Sequence, residues 1–311
     1  MKWLKKALGK TGRKVAEDLV TKGYVAAHEG RLEAAHKLYL DAVDADDTLA
    51  VAFFNAGQVE LELFNRDHSM ARLSSAAAHL QRGLALDAAH APSWRTLARV
   101  QERQGQFAAA VDAWLQVRAR LATAEPAGPF SQERGKDIEE ARREAERLRP
   151  WAELEQALTS ARAALGADVD VAAASLALSS LEEIWERSAA AGVAEPPRLL
   201  TLLGALARKI AEVEQARAYF EAAIAGDKHD LEALKALATI CLEQGDLKAA
   251  LTSSMAAYRA DPVDAGLVCN VGVCHLALGE LAAAREFIEL AAGMAPKDPI
   301  VARAVAALAP R

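Results

Sequence analysis

The sequence predicts an all-α protein built from stacked helical hairpins, and three observations carry that expectation. Alanine, the best helix former, supplies 73 of the 311 residues. Aromatic residues make up only 5 %, few for a chain of β-strands, and so many alanines suit helices packed at close range. Most telling, alanines flanked by matching patterns recur at Ala35, Ala76, Ala110, Ala216, Ala250 and Ala284, spaced by 41, 34, 106, 34 and 34 residues. A fixed period of this kind marks a repeat architecture.

Aligned on those alanines, segments 16–49, 50–90, 91–124, 197–230, 231–264 and 265–298 agree in further columns. A small residue stands twelve before the anchor at Gly23, Ala98, Gly204, Ala238 and Gly272. Glycine stands five before it at Gly30, Gly105, Gly245 and Gly279, where a first helix must end and a second begin. A bulky residue follows four after it at Tyr39, Leu80, Trp114, Phe220 and Ile288. Asp261-Pro262 and Ala295-Pro296 stop the second helix of two units.

A 34-residue helix–turn–helix unit with small residues where its helices touch resembles the tetratricopeptide repeat. The resemblance is tightest over 231–298, where two units run without insertion, and nearly as good over 91–124. Unit 50–90 departs from it through seven extra residues around Asn65 to Ser75, and unit 197–230 has Ala211 where the turn glycine belongs. The implied fold is an α–α superhelix, a solenoid in which hairpins bury their apolar faces against one another and first helices line a concave groove.

Read in order, residues 1–15 form a basic segment and 16–124 hold three repeat units. Residues 125–196 are a degenerate helical region. Within it a charged, largely solvated helix over 131–149 is followed by a new helix starting at Pro150 and another over about 169–190. Either two eroded hairpins or a helical spacer would fill that gap. Residues 197–298 hold three more units, and 299–311, with Ile300, Val301, Val305 and Leu308, read as a capping helix.

Charge and cysteine usage narrow the function. The net charge is −6, and since the first 14 residues carry six basic side chains and no acid, the rest carries −12. That balance speaks against a nucleic-acid partner. Three clustered cysteines, Cys241, Cys269 and Cys274, suit buried structural roles in a reducing compartment, and no apolar run is long enough to span a bilayer. A cytoplasmic location is expected, in a bacterium as the Ala- and Arg-rich composition suggests. The sequence has no Gly-rich phosphate loop, His-Glu-x-x-His, Cys-x-x-Cys or Gly-x-Ser-x-Gly, so neither an enzyme nor a metal or cofactor site is expected.

The expectation is therefore a scaffold or adaptor that binds a segment of another protein. The resemblance assigns the groove to recurring positions of each first helix, which places Tyr24 and Phe54 as an apolar floor. It also places Asn55 and Asn270 where an amide would meet a peptide backbone. Of the positions used by members that hold chaperone tails, only Asn55 matches. Spacing alone singles out Arg95, Arg99 and Arg103, one stripe along a helix face, whose mutual repulsion an acidic partner would relieve. At the N-terminus Trp3, Lys5 and Lys6, with Leu4, Ala7 and Leu8, suggest weak contact with an anionic membrane, on a helix that Gly9 and Gly12 cut short. Two rival expectations are a membrane-surface assembly factor docked by this segment and a secretion-type client chaperone.

Overall fold

A computed structural model describes residues 2–123, 131–166, 168, 170–196 and 198–308, with side chains from residue 12 onward apart from those of 131 and 132. Among the described residues the regular structure is helical and there is no strand. The chain divides into two compact units, residues 1–156 and 157–311.

The first unit holds α1 (Lys2–His28), α2 (Leu32–Ala45), α3 (Ala50–Asp67), α4 (Met70–Leu86), α5 (Ala91–Arg103) and α6 (Phe107–Thr123). These pair as hairpins α1/α2, α3/α4 and α5/α6, and each hairpin packs on the next. The long helix α7 (Ser131–Ala164) crosses from the first unit into the second. The second unit continues with α8 (Val171–Ala190), α9 (Leu199–Lys209), α10 (Val213–Gly226), α11 (Leu231–Glu243), α12 (Leu247–Ala260), α13 (Ala265–Ala277), α14 (Leu281–Met294) and α15 (Pro299–Ala307).

One packing rule builds the hairpins. A bulky residue of the second helix lies over a small residue of the first, closely enough that a β-carbon on Gly272 would sit 2.6 Å from Cγ1 of Ile288. In the second hairpin the small residue is Gly57, whose β-carbon would lie 2.6 Å from Cγ of Leu80. Counting twelve back from Ala76 misses it, because the seven extra residues are spent on helix. α3 has 18 residues and α4 has 17, against 13 and 14 for α11 and α12. Seven residues are close to two helical turns, so both helices lengthen and the turn stays short.

The turns follow the sequence closely. Gly30, Gly105, Gly245 and Gly279 take φ between +73° and +77°. Ala211 is forced into the same left-handed conformation, at φ +64°. Aspartates then close the other ends. Asp230, Asp246, Asp264 and Asp298 accept backbone N–H bonds at the starts of α11, α12, α13 and α15, satisfying amides that a helix start leaves unpaired.

Three expectations are corrected. α1 runs unbroken through Gly9 and Gly12. α7 runs unbroken through Pro150, so the described residues of the middle region form two helices rather than two hairpins. The first half of α7 is also not solvated all round: Ala141, Ala145 and Leu148, on one face by their 4-3 spacing, are buried against Ala98, Ala110 and Trp114. That packing holds the helix together across the proline, which removes one backbone donor. At the far end Val301 and Ala304 of α15 bury themselves on Ile288 and Ala291, closing the last hairpin.

Candidate functional site

The first helices α1, α3 and α5 lie side by side in the first unit, α1 packing on α3 and α3 on α5. Two recesses open between them. The first, of about 260 Å³, is lined by Tyr24, Ala27 and His28 of α1, Tyr39 of α2, and Asn55, Gln58, Val59 and Glu62 of α3. Tyr24 is 58 % exposed, its ring set edge-on to His28 with centroids 4.4 Å apart. Asn55 is half-buried and makes no side-chain hydrogen bond among the described residues, so both its donor and its acceptor are available. Beneath them Tyr39 fills the space left by Gly23, and burial pushes its phenol above the ordinary value. The floor is thus rigid and the polar groups stand on top of it.

The second recess, between α3 and α5, measures about 650 Å³ and is lined by Leu61, Asn65, Arg99, Glu102, Arg103 and Phe107. Here the structure brings the arginine stripe against acids of the same chain. Arg95 Nη2 lies 3.1 Å from Asp137 and 3.7 Å from Glu140, and Arg99 Nη2 lies 3.5 Å from Glu140. One step further the charges swap, Arg147 reaching Glu102 at 2.7 Å. The residue numbers rise together, so α7 runs alongside α5 in the same direction and answers its stripe rung by rung. Arg95 is partly shielded by this ladder, with Nε buried and unpartnered, whereas Arg103 is exposed and has no ion-pair partner among the described residues.

Other candidates fall elsewhere. Phe54 is a correction: it is 5 % exposed, packed in the core and stacked on His90 at 4.5 Å. The reason is Gly83 on α4, whose missing side chain leaves a slot that the Phe54 ring fills. Asn270 is half-buried on α13 in the second unit. Trp3, Lys5 and Lys6 lie on α1, but their side chains lie outside the described residues.

Behind the groove lies a buried polar cluster that no spacing or motif announces. Glu60 of α3, 2 % exposed, accepts from Ser75 Oγ at 2.6 Å and faces His36 Nε2 at 3.0 Å and His79 Nδ1 at 2.9 Å. Burial pushes its carboxyl up, but the bonds from His79 and Ser75, the proximity of His79 and the bond from His36 outweigh that and hold it below its ordinary value. The cluster pins α2, α3 and α4 together. Among the described residues no group of three or more His, Cys, Asp or Glu is placed to hold a metal ion. Glu155 is a second long-range contact: it accepts the Ala108 N–H at 2.9 Å and so caps the start of α6 from α7.

In the second unit, α8 is tied to α10 through Glu182, which accepts from Tyr219 and, at 2.9 Å, from Gln215. Burial and that carboxylate push the Tyr219 phenol up to about 12. Cys241, Cys269 and Cys274 are fully buried, and burial raises all three thiols, as inert core cysteines require. No helix of the described residues is long and apolar enough to cross a membrane.

Residues 201–265 and 256–299 match the tetratricopeptide repeat family model. No curated protein matches the chain in sequence. Among solved structures, YrrB, described as a tetratricopeptide protein with an unusual peptide-binding site, is 16 % identical, with 86 % of this chain and 97 % of that one covered at a TM-score of 0.35. Pseudomonas aeruginosa PilF is 11 % identical, covering 95 % and 99 % at 0.32. A tetratricopeptide repeat protein from Parabacteroides merdae is 14 % identical, covering 95 % and 99 % at 0.35. Apart from the first two residues of α9, the hairpins α9 to α14 lie in the matched residues, and this part of the chain is built of tetratricopeptide repeats; the same glycine-against-bulky-residue packing recurs in the first unit.

Proposed function

We propose that the chain is a non-enzymatic scaffold that holds a segment of another protein against the first helices of its first unit. The observation that supports this best is the recess between α1 and α3, where an exposed tyrosine and an unpaired asparagine amide share a rigid floor. Asn55 would hydrogen-bond the backbone of an extended segment, and Tyr24 would cover an apolar side chain. A site already in place binds without the ordering that weakens flexible partners. Asn270 would serve the same purpose on α13.

An acid in the bound segment is favoured by the neighbouring recess, where Arg103 is unpaired and Arg99 is held only at its edge by Glu140. Arg95 is left out of this part, being engaged by α7. Binding should then weaken as salt rises.

The test is capture from native lysate by the intact chain, by a Tyr24→Ala/Asn55→Ala double variant and by Arg103→Glu, with helicity checked by circular dichroism. Glutamate at 95 or 99 would face Asp137 and Glu140, so Arg103 is the position to change. A partner held by the intact chain and lost from the double variant supports the reading, and its loss from Arg103→Glu adds the acid. The same partner held equally by all three overturns it. A second reading, attachment to an anionic membrane surface by residues 1–14, gains from the continuity of α1 through Gly12. Liposome co-sedimentation with and without those residues decides it.

A further inference from the structure

A groove of about 510 Å³ lies between the second helices α4 and α6, over α5, and none of its lining residues takes part in the two recesses described above. Its floor is apolar: Leu84 of α4, Trp94 and Leu97 of α5, and Ala113 of α6. The Trp94 ring is fixed there because its N–H donates to the carbonyl of Ala88 at 2.9 Å. Alanine at 109 and 113 keeps the α6 wall low, so the floor is not filled by the protein's own side chains.

The polar groups of this groove are unusual in their balance. Gln101, 8 % exposed, lines it, and its Oε1 is buried with no hydrogen-bond partner among the described residues. A buried acceptor without a donor is costly, and a ligand N–H that reached it would relieve that cost. At the rim Asp112 is exposed and has no ion pair among the described residues, and none of the described lysines or arginines lines the groove. An unsatisfied acceptor below and an unpaired carboxylate above select for a ligand that brings apolar surface, N–H donors and positive charge.

We propose that this groove is a second protein-binding surface, taking a basic amphipathic segment of a partner whose apolar side chain covers Leu97 and Trp94 beside Gln101 and whose lysine or arginine pairs with Asp112. The surface is separate from the Tyr24/Asn55 recess and does not depend on it, so one chain could hold two partners at once.

The probe is a fluorescein-labelled leucine–lysine amphipathic peptide titrated into the full chain and followed by anisotropy, with a leucine–glutamate peptide of the same pattern as its counterpart. Saturable binding of the lysine peptide is expected, with little from the glutamate peptide. Asp112→Lys, at an exposed position, and Ala109→Leu, which raises the wall of the groove, should each weaken it about tenfold. Gln101→Leu should weaken it several-fold while leaving the chain folded, since it removes the orphan acceptor. Asn55→Ala should leave it unchanged. The proposal is overturned if the intact chain does not bind the lysine peptide, if the glutamate peptide binds as well, if Asp112→Lys and Ala109→Leu bind like the intact chain, or if Asn55→Ala abolishes binding.

Discussion

Replacing Ala211 by glycine should make the protein more stable, and the size of the gain can be worked from the turns. At Gly245 the first helix closes with Asp246 N–H donating to Cys241 O at 2.8 Å and Gly245 N–H to Leu242 O at 3.1 Å. At Ala211 the same pair recurs, Glu212 to Ala207 at 2.9 Å and Ala211 to Arg208 at 3.1 Å. The bonds are therefore equal, and only the residue in the left-handed conformation differs. A β-carbon at Gly245 would meet nothing within 4 Å, so a side chain there is penalised by its own backbone alone. That penalty is about 1–2 kcal/mol for an L-residue. Glycine gives back about 0.5–1 kcal/mol through its greater freedom in the unfolded chain. Ala211→Gly should then stabilise by about 0.5–1 kcal/mol, and Gly245→Ala should destabilise by a similar amount. Urea unfolding followed by circular dichroism reads both as opposite shifts of the midpoint at an unchanged slope. Shifts of the two variants in the same direction would refute the reasoning.

Substitutions at three further positions test the packing and the polar contacts. Gly272→Ala places a carbon 2.6 Å from Ile288 Cγ1 and 3.1 Å from the Ile288 backbone nitrogen; it should cost about 1–3 kcal/mol in urea unfolding, because the backbone has to move. Glu60→Ala leaves His36, Ser75 and His79 without their shared acceptor and should cost about 2–3 kcal/mol. Because the Glu60 carboxyl is held below its ordinary value of 4.5, its contribution is full above that value and disappears as pH falls through the lowered one. The intact chain should therefore lose stability on acidification from roughly pH 5 downward more steeply than Glu60→Gln, as thermal melts across that range would show. Glu155→Ala removes the cap on α6 and should cost about 1 kcal/mol, with the loss confined to the first unit in hydrogen exchange.

How much could be read in advance depends on the distance over which each feature is encoded. The hairpins are written locally, as an alanine, a glycine before it and a bulky residue after it, so their helices were legible from spacing alone. Gly57 escaped because seven residues inserted between it and its anchor turned into helix. Phe54 was misplaced because the slot that takes its ring is made by Gly83 on another helix. The charge density of α7 hid Ala141, Ala145 and Leu148, which pack on α5 and α6. The arginine stripe was visible as a stripe, but the acids that face Arg95 and Arg99 come from α7, and helix periodicity cannot pair one helix with another. Glu60 and Glu155 belong to the same class: each is an ordinary glutamate until the fold brings its donors to it.

The central claim, that a partner segment lies against α1 and α3, is tested most directly by where that partner touches the chain. A photo-cross-linking amino acid placed at position 55, in the recess, is compared with one at position 34, exposed on α2. After irradiation of the complex, tandem mass spectrometry should find the partner joined at 55 and not at 34. Cross-links at 34 with none at 55 would contradict the account and move the binding surface to the second helices.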